Sequence, residues 1–152
     1  MQKRILLFED DFESMRDLKE HLEETFGWQV TLAADQGLPG RLGSERFDCV
    51  IIDAMVRPTS LDENGLEVQN VHFDAVSWLE TGLEFLRRLR RGEYSRESGV
   101  GTPATVPVIV LSATTAGSIR QALGAGVPVE GWAEKPFRLD DLVAHIRRVM
   151  QE

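Results

Sequence analysis

The sequence predicts an α/β fold, a five-stranded parallel sheet with helices on both faces. Three observations point there. Five short runs, at 3–8, 30–33, 47–52, 106–111 and 129–133, have strand character, and stretches with helical spacing separate them. Most of these runs are apolar rather than alternating, as strands buried on both faces are. Four of the five lead into a polar or charged residue at the carboxyl end, where open parallel sheets bind their ligands.

The first run breaks into Glu9-Asp10-Asp11, an acidic turn. A helix is expected from Ser14, with Met15, Leu18, Leu22 and Phe26 at helical spacing, Asp17 three residues after a Ser14 cap, and Gly27 as its stop. After the second strand, 35–45 should be helical, but Gly37, Pro39, Gly40 and Gly43 predict a short or irregular helix. The third strand ends on Asp53. Residues 54–76 show no clear period, and Asn64-Gly65 is a candidate tight turn between Leu61 and Val68. Helical spacing returns from Ser77 through Leu79, Leu83, Phe85, Leu86 and Leu89. Two nested capping boxes, Ser77 with Glu80 and Thr81 with Glu84, leave its start open. A polar, Gly-rich loop over 92–105 leads to the fourth strand, which ends at Ser112. A short helix over 116–125 is stopped by Gly126. The weak fifth strand precedes Glu134-Lys135-Pro136, and 139–150 is the clearest helix, with Leu139, Leu142, Val143, Ile146, Val149 and Met150 on one face.

A chain of 152 residues suits one domain, 1–152, with a core of its own. With 17 basic and 25 acidic side chains the net charge is −8, which argues against nucleic acid or an anionic membrane as a partner, since both require a positive field. The single cysteine, Cys49, excludes a disulfide framework and reads as a small buried hydrophobe. No apolar stretch approaches membrane-spanning length and no signal-peptide pattern opens the chain, so a reducing cytoplasm is the expected location. His21, His72 and His145 lack metal-ligand spacing and read as surface or helix-face residues.

Three carboxylates, Asp10, Asp11 and Asp53, brought to one sheet edge would repel one another. A hard divalent ion resolves this, and Mg²⁺ prefers a few carboxylates together with waters and phosphate oxygens. Asp53 is then a candidate nucleophile toward a phosphoryl group, forming an acyl phosphate. The Lys135 ammonium and the Ser112 hydroxyl suit the positioning and neutralisation of transferring oxygens. Lys135-Pro136 is a candidate cis bond. Each residue also has a plainer reading when taken alone: Asp10 and Asp11 as helix caps, Asp53 as a strand-end turn residue, Ser112 as a loop residue, Lys135 as a solvated lysine. Their shared position at the ends of successive strands favours the chemical reading.

These residues also resemble the receiver domains of bacterial response regulators, over essentially the whole chain. Ile5-Leu6-Leu7-Phe8-Glu9-Asp10-Asp11-Phe12 is similar to the family's first strand with its metal-binding acidic pair, here Asp10 and Asp11. The segment ending Ile51-Ile52-Asp53-Ala54-Met55 resembles the phosphoacceptor strand, with Met55 where a backbone carbonyl ligates the metal. Thr81-Gly82-Leu83-Glu84 is similar to the entry into the family's third helix. Val110-Leu111-Ser112-Ala113 resembles the strand bearing the switch hydroxyl, and Glu134-Lys135-Pro136-Phe137 the one bearing the lysine. Trp132 falls where the family keeps a switching aromatic.

The resemblance implies a flavodoxin-like strand order, 2-1-3-4-5. It implies Mg²⁺ held by Asp10, Asp11, Asp53 and the Met55 carbonyl. It also implies phosphorylation of Asp53 by a histidine kinase or phosphotransfer protein, and a Ser112 and Trp132 rearrangement read by a downstream protein partner, with homodimerisation an open question. No output domain is expected after Glu152, so the effect is expected to pass through a binding partner.

Two features depart from the family pattern. Arg57 stands where the family usually has proline, with Pro58 one later, and an insertion of about twenty residues occupies roughly 59–80. Val71, Phe73 and Trp78 predict that the insertion packs on the domain. These departures support the competing reading of a pseudo-receiver scaffold that is not phosphorylated. A turnover phosphatase on this fold would need a second acidic residue two positions after the nucleophile, where Met55 stands, so an enzyme is not expected.

Overall fold

The structure, a computed structural model, describes residues 2–96 and 99–151. Part of the expected 92–105 loop, residues 97 and 98, lies outside the described residues, as does Glu152. Five parallel strands form one sheet: β1 (Arg4–Phe8), β2 (Gln29–Ala33), β3 (Cys49–Asp53), β6 (Val108–Ser112) and β7 (Gly131–Glu134). Their order is β2-β1-β3-β6-β7, the expected 2-1-3-4-5 once two short strands, β4 (Thr59–Leu61) and β5 (Glu67–Gln69), are set apart as a separate antiparallel pair. The register aligns the carboxyl ends: Phe8 pairs with Ile52, Asp53 with Leu111, and Ser112 with Glu134.

Alternate residues of the buried strands serve opposite faces, so the core falls into two layers. One gathers Leu6, Phe8, Val50, Ile52, Val108 and Val110 with side chains of α2 (Leu38–Leu42), α3 (Thr81–Arg90) and α4 (Ala116–Leu123). The other gathers Ile5, Leu7, Ile51, Ile109 and Leu111 with side chains of α1 (Phe12–Phe26) and α5 (Leu139–Val149). Cys49 is a free, fully buried thiol, pushed up to about 12 by burial, as the hydrophobic reading requires.

Several element boundaries differ from the sequence expectation. The first helix starts at Phe12 rather than Ser14, because the Asp11 carboxylate accepts the Ser14 backbone N–H and takes the cap. The second is a five-residue helix, held despite its glycines by fully buried Leu38 and Leu42 and opened by Pro39 in its first turn. Ser77 caps a 3₁₀ turn over Trp78–Glu80, and α3 proper begins at Thr81. The fourth helix ends at Leu123 against Gly124, two residues before the expected stop. Lys135–Pro136 is cis.

The insertion is ordered. β4 and β5 pair through a loop in which Asp62 accepts the Asn64 and Leu66 N–H groups, so the turn is longer than the tight Asn64-Gly65 turn expected. The Gln36 N–H donates to the Gln69 carbonyl, and the Val71 N–H to the Ala34 carbonyl, fastening the segment to the end of β2. Val71 is buried in the first core layer, and the Arg88 guanidinium lies over the Phe73 ring at 4.3 Å.

Candidate functional site

The carboxyl edge of the sheet is where the polar residues meet. Asp53, the last residue of β3, is 4% exposed. Its Oδ2 lies 2.5 Å from the Lys135 ammonium, delivered by the turn after β7, and its Oδ1 accepts the Met55 backbone N–H at 2.9 Å. Lys135 also reaches Glu9 Oε2 at 3.3 Å. Glu9 was not among the site residues expected from the sequence, yet it is more deeply buried than Asp10. Register explains its place. Phe8 is opposite Ile52, so the next residue on each strand, Glu9 and Asp53, faces the same cleft.

Asp10 is also buried, and its Oδ2 accepts both the backbone N–H and the side-chain Nε–H of Arg57, at 3.2 and 2.9 Å. Asp11 stands on the exposed rim, its carboxylate engaged in capping α1. Ser112 is buried at the end of β6; its carbonyl accepts the Lys135 N–H, and its hydroxyl bonds the Thr114 hydroxyl and accepts the Thr114 N–H. Trp132 is partly buried beside the α4 layer, with the Arg120 guanidinium 5.2 Å from its ring. A cleft of about 580 Å³ opens beside the acidic edge, between the start of α1 and the inserted hairpin; Asp10, Asp11, Arg57, Ser60 and Asp62 line it.

With all three buried carboxyls ionised, the charges at this edge would not balance. Glu9, Asp10 and Asp53 face two cations, Lys135 and Arg57. One ammonium shared unequally between Asp53 and Glu9 cannot neutralise both. Burial and the neighbouring Asp53 carboxylate accordingly push Glu9 up to about 9, with Lys135 only partly offsetting them. Burial works against the Lys135 charge, but the hydrogen bond and charge of Asp53, with Glu9 behind them, outweigh it and raise its pKa. Among the described residues no three metal-competent side chains form a preformed cage. The donors nevertheless suit a hard cation: the buried carboxyl groups outnumber the two cations beside them, and a divalent ion could take the place of the Glu9 proton. Mg²⁺ in particular needs only one or two carboxylates beside waters and phosphate.

Against solved structures, the whole chain superposes on receiver domains. It has the receiver fold. It matches the receiver domain of a Francisella response regulator at a TM-score of 0.67 and 18% identity, covering 99% of this chain and 98% of the other. It matches the receiver domain of a Pseudomonas aeruginosa sensor histidine kinase, solved with magnesium in its active site cleft, at 0.63 and 20%, over 100% of both chains. A chemotaxis response regulator of Vibrio cholerae gives 0.63 and 24%, over 98% of this chain and 99% of that one. No protein-family model matches the sequence, and no curated protein does. The receiver fold accounts for the doubly wound sheet and for the cleft at its carboxyl edge. The hairpin β4–β5 is set beside that edge.

Proposed function

We propose that this chain is a signalling switch that accepts a phosphoryl group on Asp53 and acts through a protein partner. The observation that supports this most is the buried Asp53 carboxylate held against the Lys135 ammonium at the carboxyl edge of a receiver-fold sheet. A buried carboxylate whose one oxygen is fixed by Met55 N–H and whose other meets a cation is oriented for in-line attack. An Asp53 oxygen forms the new bond to phosphorus while the bond from phosphorus to the donor breaks, and the donor leaves with that electron pair. With a histidine phosphodonor the departing group is the imidazole nitrogen. Lys135 is positioned to neutralise charge on the transferring oxygens, and the Ser112 hydroxyl, one strand away, to bond a phosphoryl oxygen once released from Thr114.

Glu9, Asp10, Asp53 and the Met55 carbonyl are the groups that would hold Mg²⁺, with Asp11 at the rim; the ion would supply charge neutralisation. In this reading a histidine kinase or phosphotransfer protein is the donor. Trp132, against Arg120 of α4, is the aromatic that carries the change to the partner-binding face. The chain acts in the cytoplasm; among the described residues no helix is long and apolar enough to cross a membrane.

A second reading, a scaffold that is never phosphorylated, is favoured by one observation: the Arg57 guanidinium already engages Asp10. Incubation with acetyl phosphate and Mg²⁺, followed by intact-mass measurement, separates the two. A base-labile phosphoryl adduct is expected. Its absence with this donor, and with histidine-phosphorylated phosphotransfer protein, selects the scaffold.

A further inference from the structure

We infer that Arg57 is a tethered counter-ion that occupies the Asp10 carboxylate and competes with Mg²⁺ for it, and that the inserted segment exists in part to hold it there. The inference rests on the metal site assigned under Proposed function. Asp10 is 6% exposed, and its Oδ2 takes two hydrogen bonds from a single residue, the Arg57 N–H and Nε–H. A buried carboxylate needs such a partner, and among the described residues Arg57 is the cation that Asp10 has.

The backbone of Arg57 is itself fixed from the far side of the insertion. Asn70, 1% exposed, donates its Nδ2 to the Arg57 carbonyl at 3.0 Å and to Ser60 Oγ at 3.0 Å, and its backbone N–H to the Pro58 carbonyl at 2.8 Å. Asn70 in turn bridges to Asp35 at the end of β2. The chain thus leaves the active edge at Arg57, runs out through the hairpin, and returns to clamp the residue it started from. A buried asparagine spent on one loop carbonyl and one hydroxyl fixes a position, and the position it fixes is that of Arg57.

The guanidinium is held at one end only. Its side chain is 57% exposed, so it can leave for water once a divalent ion takes its place at the buried Asp10 carboxylate. A divalent ion that used Asp10 would have to expel it and would feel its positive charge a few ångströms away. The charge on Arg57, rather than the shape of the loop, is then what sets the metal affinity. Arg57→Ala retains the backbone N–H to Asp10 and the carbonyl bonded by Asn70, so the loop keeps its anchors.

The test is calorimetric Mg²⁺ titration of the full chain in three forms: native, Arg57→Ala and Arg57→Lys, each checked for a native circular-dichroism spectrum and a cooperative melt, with Arg57→Ala expected to melt lower than native in metal-free buffer. Arg57→Ala is expected to bind Mg²⁺ about tenfold or more tightly than native, since a unit charge beside the site is removed. Arg57→Lys, which keeps the charge, should remain within about threefold of native. If native binds Mg²⁺ and Arg57→Ala binds it equally or more weakly, the counter-ion role is overturned while the phosphoacceptor reading stands. If none of the three binds Mg²⁺, the metal site itself is lost, and both fall. Asn70→Ala supplies a second arm: partial tightening in native background and none in Arg57→Ala, whereas equal effects in both backgrounds would refute the clamp.

Discussion

At the scale of single residues, Glu9 illustrates how environment decides charge. Its ordinary carboxylate is buried beside Asp53 and shares a lysine that lies closer to Asp53, so its pKa rises to about 9. The consequence for stability has a definite sign. Between about 4.5 and 9 the unfolded chain has lost the Glu9 proton while the folded chain keeps it, so this residue's contribution to stability falls as pH rises through that window. Glu9→Gln removes the titration. Chemical denaturation of both proteins in metal-free buffer should therefore show the variant gaining on native between pH 5 and pH 8; a difference that does not change with pH would contradict the assignment. Asp53 and Lys135 were legible in the sequence because a charge at the end of an apolar run is conspicuous. Glu9 was not, because it stands in a row of three acidic residues and only the strand register distinguishes the one facing Asp53 from the one capping α1. Arg57 showed in the sequence as a departure; that it pairs with Asp10 depends on a long-range contact no local pattern encodes.

At the scale of elements, the contact between α3 and β3 sets the position of Asp53. Gly82 lies so close to the strand that a Cβ there would stand 1.9 Å from the Asp53 carbonyl oxygen and 2.9 Å from Ala54 Cα, both of them backbone atoms. Its N–H donates to the Ala54 carbonyl at 2.9 Å. Gly82→Ala must push the helix off the strand, with a loss of about 2–4 kcal/mol in urea unfolding. A loss below about 0.5 kcal/mol would show that the close approach is not structural. The helices with sustained apolar spacing were readable from the sequence, since their period is local. Their ends were less so. Asp11 displaced Ser14 as the cap of α1, and Gly124 rather than Gly126 ended α4, because the cap is chosen by which side chain or backbone group reaches the open turn. The hairpin β4–β5 left only a turn signal, its strands being three residues each with no buried apolar residue between them.

At the scale of the molecule, the parallel sheet brings groups from four strands to one edge, which no single element does. Burial on both faces of the sheet packs the strands that end there, and their carboxyl edge gathers the side chains of the proposed Mg²⁺ and phosphoryl site. The fold class followed from the alternation of apolar runs with helical periods and the strand order from the family resemblance, whereas the placement of the insertion against the acidic edge required the folded chain. The central claim is that Asp53 is the phosphoacceptor. Its most direct test is phosphoryl transfer from acetyl phosphate in the presence of Mg²⁺, with borohydride trapping and peptide mapping of native protein beside Asp53→Asn. The account predicts a trapped adduct on the peptide carrying Asp53 and no adduct in Asp53→Asn; label retained in Asp53→Asn, or mapped to another residue, would contradict it.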